Sequence, residues 1–172
     1  MNLIILALFF SSFLFPKCDG FNWYHDMNVR DCNQKDIQVL QKFIDNSHKT
    51  INYEMDVNLN NKIEPLELGW QLWEDGRLIH WVCNDVPSPF YIYDYNCGLS
   101  GNIPDNIGSL NSIVKMHLQD NKLKGSIPRQ ICELDISKSN NYWLKINQNN
   151  LCPPYPECME TFDMIQKNNK CD

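Results

Sequence analysis

The spacing of apolar residues changes several times along the chain. Residues 3–15 are apolar apart from two serines, which matches a signal-peptide core and falls short of the roughly 20 residues that span a bilayer. Residues 36–46 place apolar side chains on one helical face, and a second helix is predicted from Pro65 through Trp73. Residues 78–83 then predict a short strand. The predicted apolar face of the first helix comprises Ile37, Leu40, Phe43 and Ile44.

A repeat organises the C-terminal half of the chain. The segment LSGNIPDNIGSL at residues 99–110 returns 24 residues later as LKGSIPRQICEL, with six of twelve positions identical. A fixed period of roughly 20–29 residues is the signature of a leucine-rich repeat. Between these segments, Met116 and Leu118 are expected to point inward, and Asn121 to bond the backbone of the turn. A third unit follows after a further 28 residues, with a polar insertion at residues 137–141.

These patterns predict an α/β fold and four segments. The fold is a short leucine-rich-repeat solenoid with parallel strands on its concave face, closed by a helical N-terminal cap and a disulfide-stapled C-terminal cap. The segments are a signal peptide (1–20), the N-terminal cap (21–88), the repeats (89–151) and the C-terminal cap (152–172). Small residues at Cys18 and Gly20 place the predicted cleavage after Gly20, and an uncleaved anchor is the alternative. No later segment is apolar enough to span a membrane, so the mature chain is expected to be secreted.

Eight cysteines fit an oxidising compartment. Cleavage after Gly20 would remove Cys18 and leave an odd number. Cys97 occupies the repeat position of Asn121, where a thiol can act as a small buried apolar group, so it is predicted to be unpaired. Cys32 and Cys83 are then predicted to form a disulfide with each other. The other four cysteines are expected to pair among themselves in one of three arrangements that the sequence leaves open, and they are Cys132, Cys152, Cys158 and Cys171.

Charge and motifs exclude several functions. The net charge is −6, and the 15 Lys and Arg residues form no run, which argues against nucleic acid as a partner. No nucleophile elbow, metalloprotease motif or phosphate-binding glycine loop occurs, so the chain is not expected to be an enzyme. It also has no N-glycosylation sequon.

A binding surface is predicted from the alternation of side chains along the repeat strands. Residues that flank the inward positions face the concave side. Three rows of three residues follow across adjacent strands: Tyr91, Lys115 and Trp143; Tyr93, His117 and Lys145; Tyr95, Gln119 and Asn147. Aromatic side chains supply contact area at low entropic cost, and the cations make this face locally positive. The predicted partner is an extracellular protein, peptide or anionic glycan. A merely solvated sheet face is the alternative.

One polar stretch suggests calcium. Residues 56–67 place oxygen-bearing side chains at the positions that an EF-hand loop uses, and the expected ligands are Asp56, Asn58, Asn60, Glu64 and Glu67. Asn at two ligand positions lowers the charge of the site, and no second such loop is visible. The alternatives are therefore a calcium-stabilised extracellular structural or matrix protein and a plain connector within the cap. No other cofactor is expected.

The repeat motif Leu-x-Gly-x-Ile-Pro-x-x-Ile-Gly-x-Leu resembles the plant-type extracellular leucine-rich-repeat class. That class includes polygalacturonase-inhibiting proteins and the ectodomains of receptor-like kinases. The N-terminal segment is similar in the order of Cys32, Asp36, Leu40, Trp73, Trp81 and Cys83. Two features depart from the class: the chain has only about three repeats, and its GRLIHWVC segment is not the usual cap sequence. The resemblance therefore implies an extracellular binding protein and does not imply inhibition of a pectinase.

Overall fold

The computed structural model describes residues 18–21, 29–84, 96–138, 143–159, 166 and 171. Within these residues, strands form a five-stranded sheet of order β1-β2-β3-β5-β7 and a three-stranded sheet of order β4-β6-β8. The first sheet contains β1 (Gly20–Phe21), β2 (Trp70–Glu74), β3 (Arg77–Val82), β5 (Lys115–His117) and β7 (Leu144–Lys145). The second contains β4 (Ser100–Gly101), β6 (Lys122–Ser126) and β8 (Asn150–Cys152). Short 3-10 turns, among them Asp105–Ser109 and Arg129–Glu133, complete each repeating unit.

The helix α1 (Gln34–Asn46) packs its apolar face into the core as predicted. Asn33 caps its N-terminus, because the side-chain oxygen accepts hydrogen bonds from the N–H groups of Lys35 and Asp36. Phe43 is fully buried and meets Trp81 of β3 edge-on, with 4.9 Å between the ring centroids. This contact joins the helix to the five-stranded sheet.

The predicted second helix from Pro65 to Trp73 is wrong. Pro65–Glu67 forms one 3-10 turn, and the chain then enters the strand β2, whose side chains alternate between buried and half-buried. Asp75 and Gly76 connect β2 to β3, and both adopt positive φ, 49° and 73°. A two-residue Asp-Gly loop of this kind twists as an antiparallel hairpin requires, so the hairpin overrides the helical spacing of the leucines. The strand predicted at residues 78–83 is confirmed as β3.

The units in the C-terminal half repeat one hydrogen-bond pattern. Asn121 accepts a hydrogen bond from the Leu99 N–H at 2.9 Å, and its amide donates to the carbonyls of Cys83 and Leu118. Asn149 makes the corresponding bonds 28 residues later, accepting from the Leu123 N–H at 3.0 Å. Both side chains are buried. Each asparagine thus satisfies backbone groups that a buried turn would leave unpaired, as the sequence predicts.

Two of the disulfide predictions are wrong. Cys97 is bonded to Cys83, and Cys32 is bonded to Cys18, so neither a free Cys97 nor a Cys32–Cys83 bond exists. The predicted loss of Cys18 made the count odd and forced both errors. Cleavage after Gly20 would also cut β1, which pairs with β2. We therefore propose that a leader would end before Cys18.

The C-terminal cysteines do pair among themselves. Cys132 is bonded to Cys158, and Cys152 is bonded to Cys171. All eight cysteines of the chain are therefore in disulfides, which suits an oxidising compartment. In the part of the chain that the structure describes, no helix is long and apolar enough to cross a membrane. The segment boundaries at residues 20, 88 and 151 otherwise remain predictions.

Candidate functional site

The candidate site is the half-exposed side of the five-stranded sheet, which we call the outer face. Gln71, Trp81, Met116 and Leu144 lie side by side on neighbouring strands and are buried. Because side chains alternate along a strand, the neighbouring positions point the other way. The outer face therefore carries Trp70, Leu72, His80, Val82, Lys115, His117 and Lys145.

The register brings several of the predicted site residues together. Lys115 precedes Met116, which pairs with Leu144, so Lys115 lies beside Trp143. His117 pairs directly with Lys145.

Gln119 and Asn147 follow the ends of their strands, and the Asn147 carbonyl accepts a hydrogen bond from the Asp120 N–H. The Gln119 Oε1 atom is buried and accepts no hydrogen bond from the described residues. Ligand binding by these six residues remains a prediction.

The first of the three predicted strands is placed differently. Tyr91, Tyr93 and Tyr95 lie outside the described residues. The strand beside β5 is β3, in which His80 pairs with Lys115 and Val82 pairs with His117. His80 and Val82 thus occupy the places predicted for Tyr91 and Tyr93. Strand β3 could take that position because it runs parallel to β5 in the same register as the repeats.

An aromatic cluster that the sequence pattern does not predict lies at the other end of the outer face. The Trp70 ring lies between Phe21 and His80, with centroid distances of 5.3 Å and 5.9 Å. All three belong to the hairpin β2–β3 or to β1 paired with it. The Asp75-Gly76 dipeptide, flanked by alternating apolar residues, was the signal that could have revealed this hairpin.

Burial and like charge destabilise the protonated forms of two residues on this face. Burial lowers the pKa of Lys115 below its ordinary value, and the positive charge of Lys145 lowers it further. Burial also lowers the pKa of His80, with a smaller contribution from Lys115, while Glu74 opposes the shift. Among the described residues, no carboxylate forms an ion pair with Lys115. An anion placed between Lys115 and Lys145 would relieve their repulsion.

The predicted calcium loop is held by its own hydrogen bonds. The Asp56 carboxylate accepts from the backbone N–H groups of Asn60 and Asn61, at 3.1 Å and 2.7 Å. Glu67 accepts from the N–H groups of Val57 and Glu64. These bonds draw the ends of the loop together.

The five predicted calcium ligands lie close together in this loop. The Asn58 amide donates to both Glu64 and Glu67, and the Asn60 amide donates to Glu64 at 2.7 Å. Burial raises the pKa of Glu67, and its hydrogen bond with Glu64 raises it further, whereas that same bond lowers the pKa of Glu64. No group of three His, Cys, Asp or Glu side chains arranged to hold a metal ion occurs in the described part of the chain. Calcium binding therefore stays a sequence-based prediction.

Comparison with known proteins gives a limited set of similarities. No protein-family model matches the chain. Receptor-like protein 32 from Arabidopsis thaliana is 30% identical over an alignment of 133 residues, and the alignment covers 67% of this chain and 14% of that protein. The chain therefore spans only a small part of the length of this relative. The BIR2 ectodomain from Arabidopsis thaliana aligns with a TM-score of 0.43 and 21% identity, over 76% of this chain and 63% of that one. In its repeat motif and in its sequence, the chain resembles the plant-type extracellular leucine-rich-repeat proteins.

Proposed function

We propose that this chain is an extracellular leucine-rich-repeat protein that binds an anionic partner on its outer face. The partner is a protein, a peptide or an anionic glycan, and the function is binding without catalysis. The observation that carries the proposal is the half-buried Lys115, which feels the charge of Lys145 on the adjacent strand and forms no ion pair with a carboxylate of the described residues. An anion bound next to Lys115 would stabilise its charged form, which burial disfavours.

The aromatic side chains support the same proposal. Trp143 is 36% exposed at the edge of the face, next to Lys115 in register. Trp70 is half-buried at the opposite edge. Large aromatic side chains beside cations are enriched where proteins bind one another, because they contribute area and hydrogen bonding from few rotatable bonds.

The disulfides and the sequence relative support an extracellular setting. Four disulfides form and persist in oxidising compartments. The relative is named as a receptor-like protein, which is consistent with a role in recognition outside the cell. An acidic chain with a locally positive face would also attract anionic partners preferentially to that face.

Affinity capture tests the proposal. The tagged protein is incubated with the culture medium of cells that secrete it, and bound material is identified by mass spectrometry and glycan analysis. We expect the double variant K115E/K145E to lose at least about tenfold in capture, since its charges would repel an anion. The control is K122E/K124E, which changes the same charge at exposed positions on β6 of the other sheet. Equal capture by the two double variants, both folded by circular dichroism, would refute binding at the outer face.

A further inference from the structure

A cavity of about 530 Å³ lies where the C-terminal half of α1 meets the first two repeating units. None of the described residues that line it belongs to the five-stranded sheet, so it is separate from the outer face. Its volume lies within the range of roughly 300–1,000 Å³ that small-molecule sites occupy. The polar side chains that line it are Lys42, Asn46, Asn102, Asp105, Asn106 and Ser126.

Close packing fixes the walls of this cavity. The Asn46 side chain donates a hydrogen bond to the Asn102 carbonyl at 2.8 Å, which joins the end of α1 to the first unit. Gly101 allows this approach, because a Cβ atom there would lie 2.9 Å from the Asn46 carbonyl oxygen. Gly125 makes room for the Asn102 amide in the same way, since its Oδ1 atom would lie 2.9 Å from a Cβ at that position. The walls are therefore already in place for a ligand, which lowers the cost of binding one.

The polar side chains of the cavity have unused hydrogen-bonding capacity. Among the described residues, the side chains of Asn102, Asp105 and Asn106 make no hydrogen bond or ion pair, and neither do those of Lys42 and Ser126. The amide and hydroxyl groups in this set can each both donate and accept hydrogen bonds. A ligand with several groups that also donate and accept would satisfy such a lining, and the hydroxyls of a sugar are groups of this kind.

The charges and the apolar surface of the cavity define the ligand class further. Lys42 and Asp105 carry opposite charges, form no ion pair with each other, and are the only charged residues among the described residues of the lining. A ligand with a net charge of either sign would meet a like charge there, so a neutral ligand is favoured. Pro104 and Pro128 occupy the same position in consecutive units and line the cavity together. The C–H groups of a sugar ring can pack against such apolar rings by dispersion.

We propose that this cavity, which we call the polar cavity, binds a neutral oligosaccharide. The sugar hydroxyls bond to the three asparagine amides and to Ser126, and one sugar ring packs on the two prolines. Lys42 and Asp105 bond further hydroxyls as charged donor and charged acceptor, and such hydrogen bonds are stronger than those between neutral groups. The inference does not rest on the proposed function, because the polar cavity and the outer face share no residue.

NMR titration of the isotopically labelled full chain, with its disulfides intact, tests the proposal. The probes are three neutral tetrasaccharides, cellotetraose, xylotetraose and mannotetraose, together with the anionic tetragalacturonate. We expect at least one neutral probe at millimolar concentration to shift the side-chain amide signals of Asn102 and Asn106, which their Ala variants assign. That probe should bind at least about fivefold more tightly than tetragalacturonate, because the lining has no net charge. Its affinity should not change between low and physiological salt, since salt screens only interactions between charges.

Variants locate the binding in the polar cavity. Ser126→Trp fills the cavity from an exposed position of β6 and should abolish the shifts. Lys122→Trp places the same side chain at another exposed position of that strand, outside the cavity, and should leave them unchanged. Asn106→Ala removes one amide and should weaken binding about fivefold, as expected for the loss of one hydrogen bond. Gln130→Ala, at the corresponding position of the next unit, is its matched control.

The outcomes decide this inference separately from the proposed function. If none of the neutral probes shifts the Asn102 and Asn106 signals, the inference is wrong, and it is equally wrong if the shifts persist in a folded Ser126→Trp variant or if tetragalacturonate binds more tightly. K115E/K145E alters only the outer face and should leave the affinity for the neutral probe unchanged. Loss of that affinity in K115E/K145E would place the sugar on the outer face and overturn the inference. Unchanged capture of the partner from medium by K115E/K145E would refute only the proposed function.

Discussion

The Arg77 guanidinium holds the buried Asp36 carboxylate through two hydrogen bonds, Nε to Oδ2 at 2.8 Å and Nη2 to Oδ1 at 3.0 Å. Asp36 is fully buried in the first turn of α1, and it also accepts the N–H of Leu78. Arg77 donates further to the Ser109 carbonyl. One ion pair therefore links the helix, the hairpin and the first repeating turn.

Arg77→Ala should destabilise the chain strongly, because it leaves the Asp36 carboxylate buried without its cation. Breaking a buried pair from one side costs about 3–5 kcal/mol in the free energy of unfolding. Arg77→Lys keeps the charge but loses the two-bond geometry of the guanidinium, so its free energy of unfolding should lie between those of the unchanged chain and Arg77→Ala. Urea unfolding measures the change, with Arg129→Ala at an exposed position as the control. Equal stability of the Ala variants would contradict a structural role for this pair.

Asn121→Ala should lower the free energy of unfolding by about 2 kcal/mol or more. The Leu99 N–H and the Cys83 carbonyl would lose their buried partner, and each unpaired buried group costs about 1–3 kcal/mol. Asn149→Ala should lower the free energy of unfolding by a similar amount, because Asn149 makes the hydrogen bonds that correspond to those of Asn121. Thermal and urea unfolding measure both, and Lys122→Ala at the exposed neighbouring position is the control. A loss no larger than that of the control would show that water replaces the side chain.

His80 should make the chain less stable in mild acid. Its pKa is lowered in the folded chain, chiefly by burial and also by Lys115, relative to an ordinary value of about 6.5. Between the folded pKa and about 6.5, the unfolded chain binds more protons, so the free energy of unfolding decreases as the pH falls through that window and levels off below it.

His80→Gln should remove this part of the pH dependence. Urea unfolding at a series of pH values measures the slope, and His48→Gln at an exposed position is the matched control. The slope should be smaller in the His80 variant than in the His48 variant. Identical slopes would mean that His80 is as solvated in the folded chain as in the unfolded one.

Peptide mapping of the protein without reduction should recover four linked pairs. The decisive ones are Cys18–Cys32 and Cys83–Cys97, since the sequence alone favoured other pairings. N-terminal sequencing should begin before Cys18, because the bond requires that residue. A linked Cys32–Cys83 peptide, or one reactive thiol per chain, would contradict this arrangement.

The sequence-based prediction of calcium binding is tested by the melting temperature. Calcium at about millimolar concentration should raise it if the loop binds the ion, by ligand linkage to the folded state. Glu67→Gln should abolish that rise, whereas Glu54→Gln, at an exposed position outside the loop, should not. A melting temperature that does not respond to calcium or to a chelator would contradict calcium binding by this loop.

The sequence by itself determined the features that depend on local periodicity. The helical face of α1 and the strand β3 follow from side-chain spacing, because burial selects one face of each element. The repeat predicted the buried roles of Asn121 and Asn149, since every unit must satisfy the same turn. The position of Lys115 beside Trp143 and of His117 beside Lys145 follows from the same repeat.

Tertiary structure decided what depends on distant neighbours. The hairpin at Asp75-Gly76 replaced a predicted helix because β2 gains partners on both sides, β1 and β3, that the spacing of leucines cannot reveal. The pairing of Cys97 with Cys83, and of Cys18 with Cys32, depends on which cysteines the fold brings within bonding distance. The aromatic cluster of Phe21, Trp70 and His80 likewise exists only because β1 and the hairpin extend the repeat sheet, and β1 pairs with a strand about 50 residues later in the sequence.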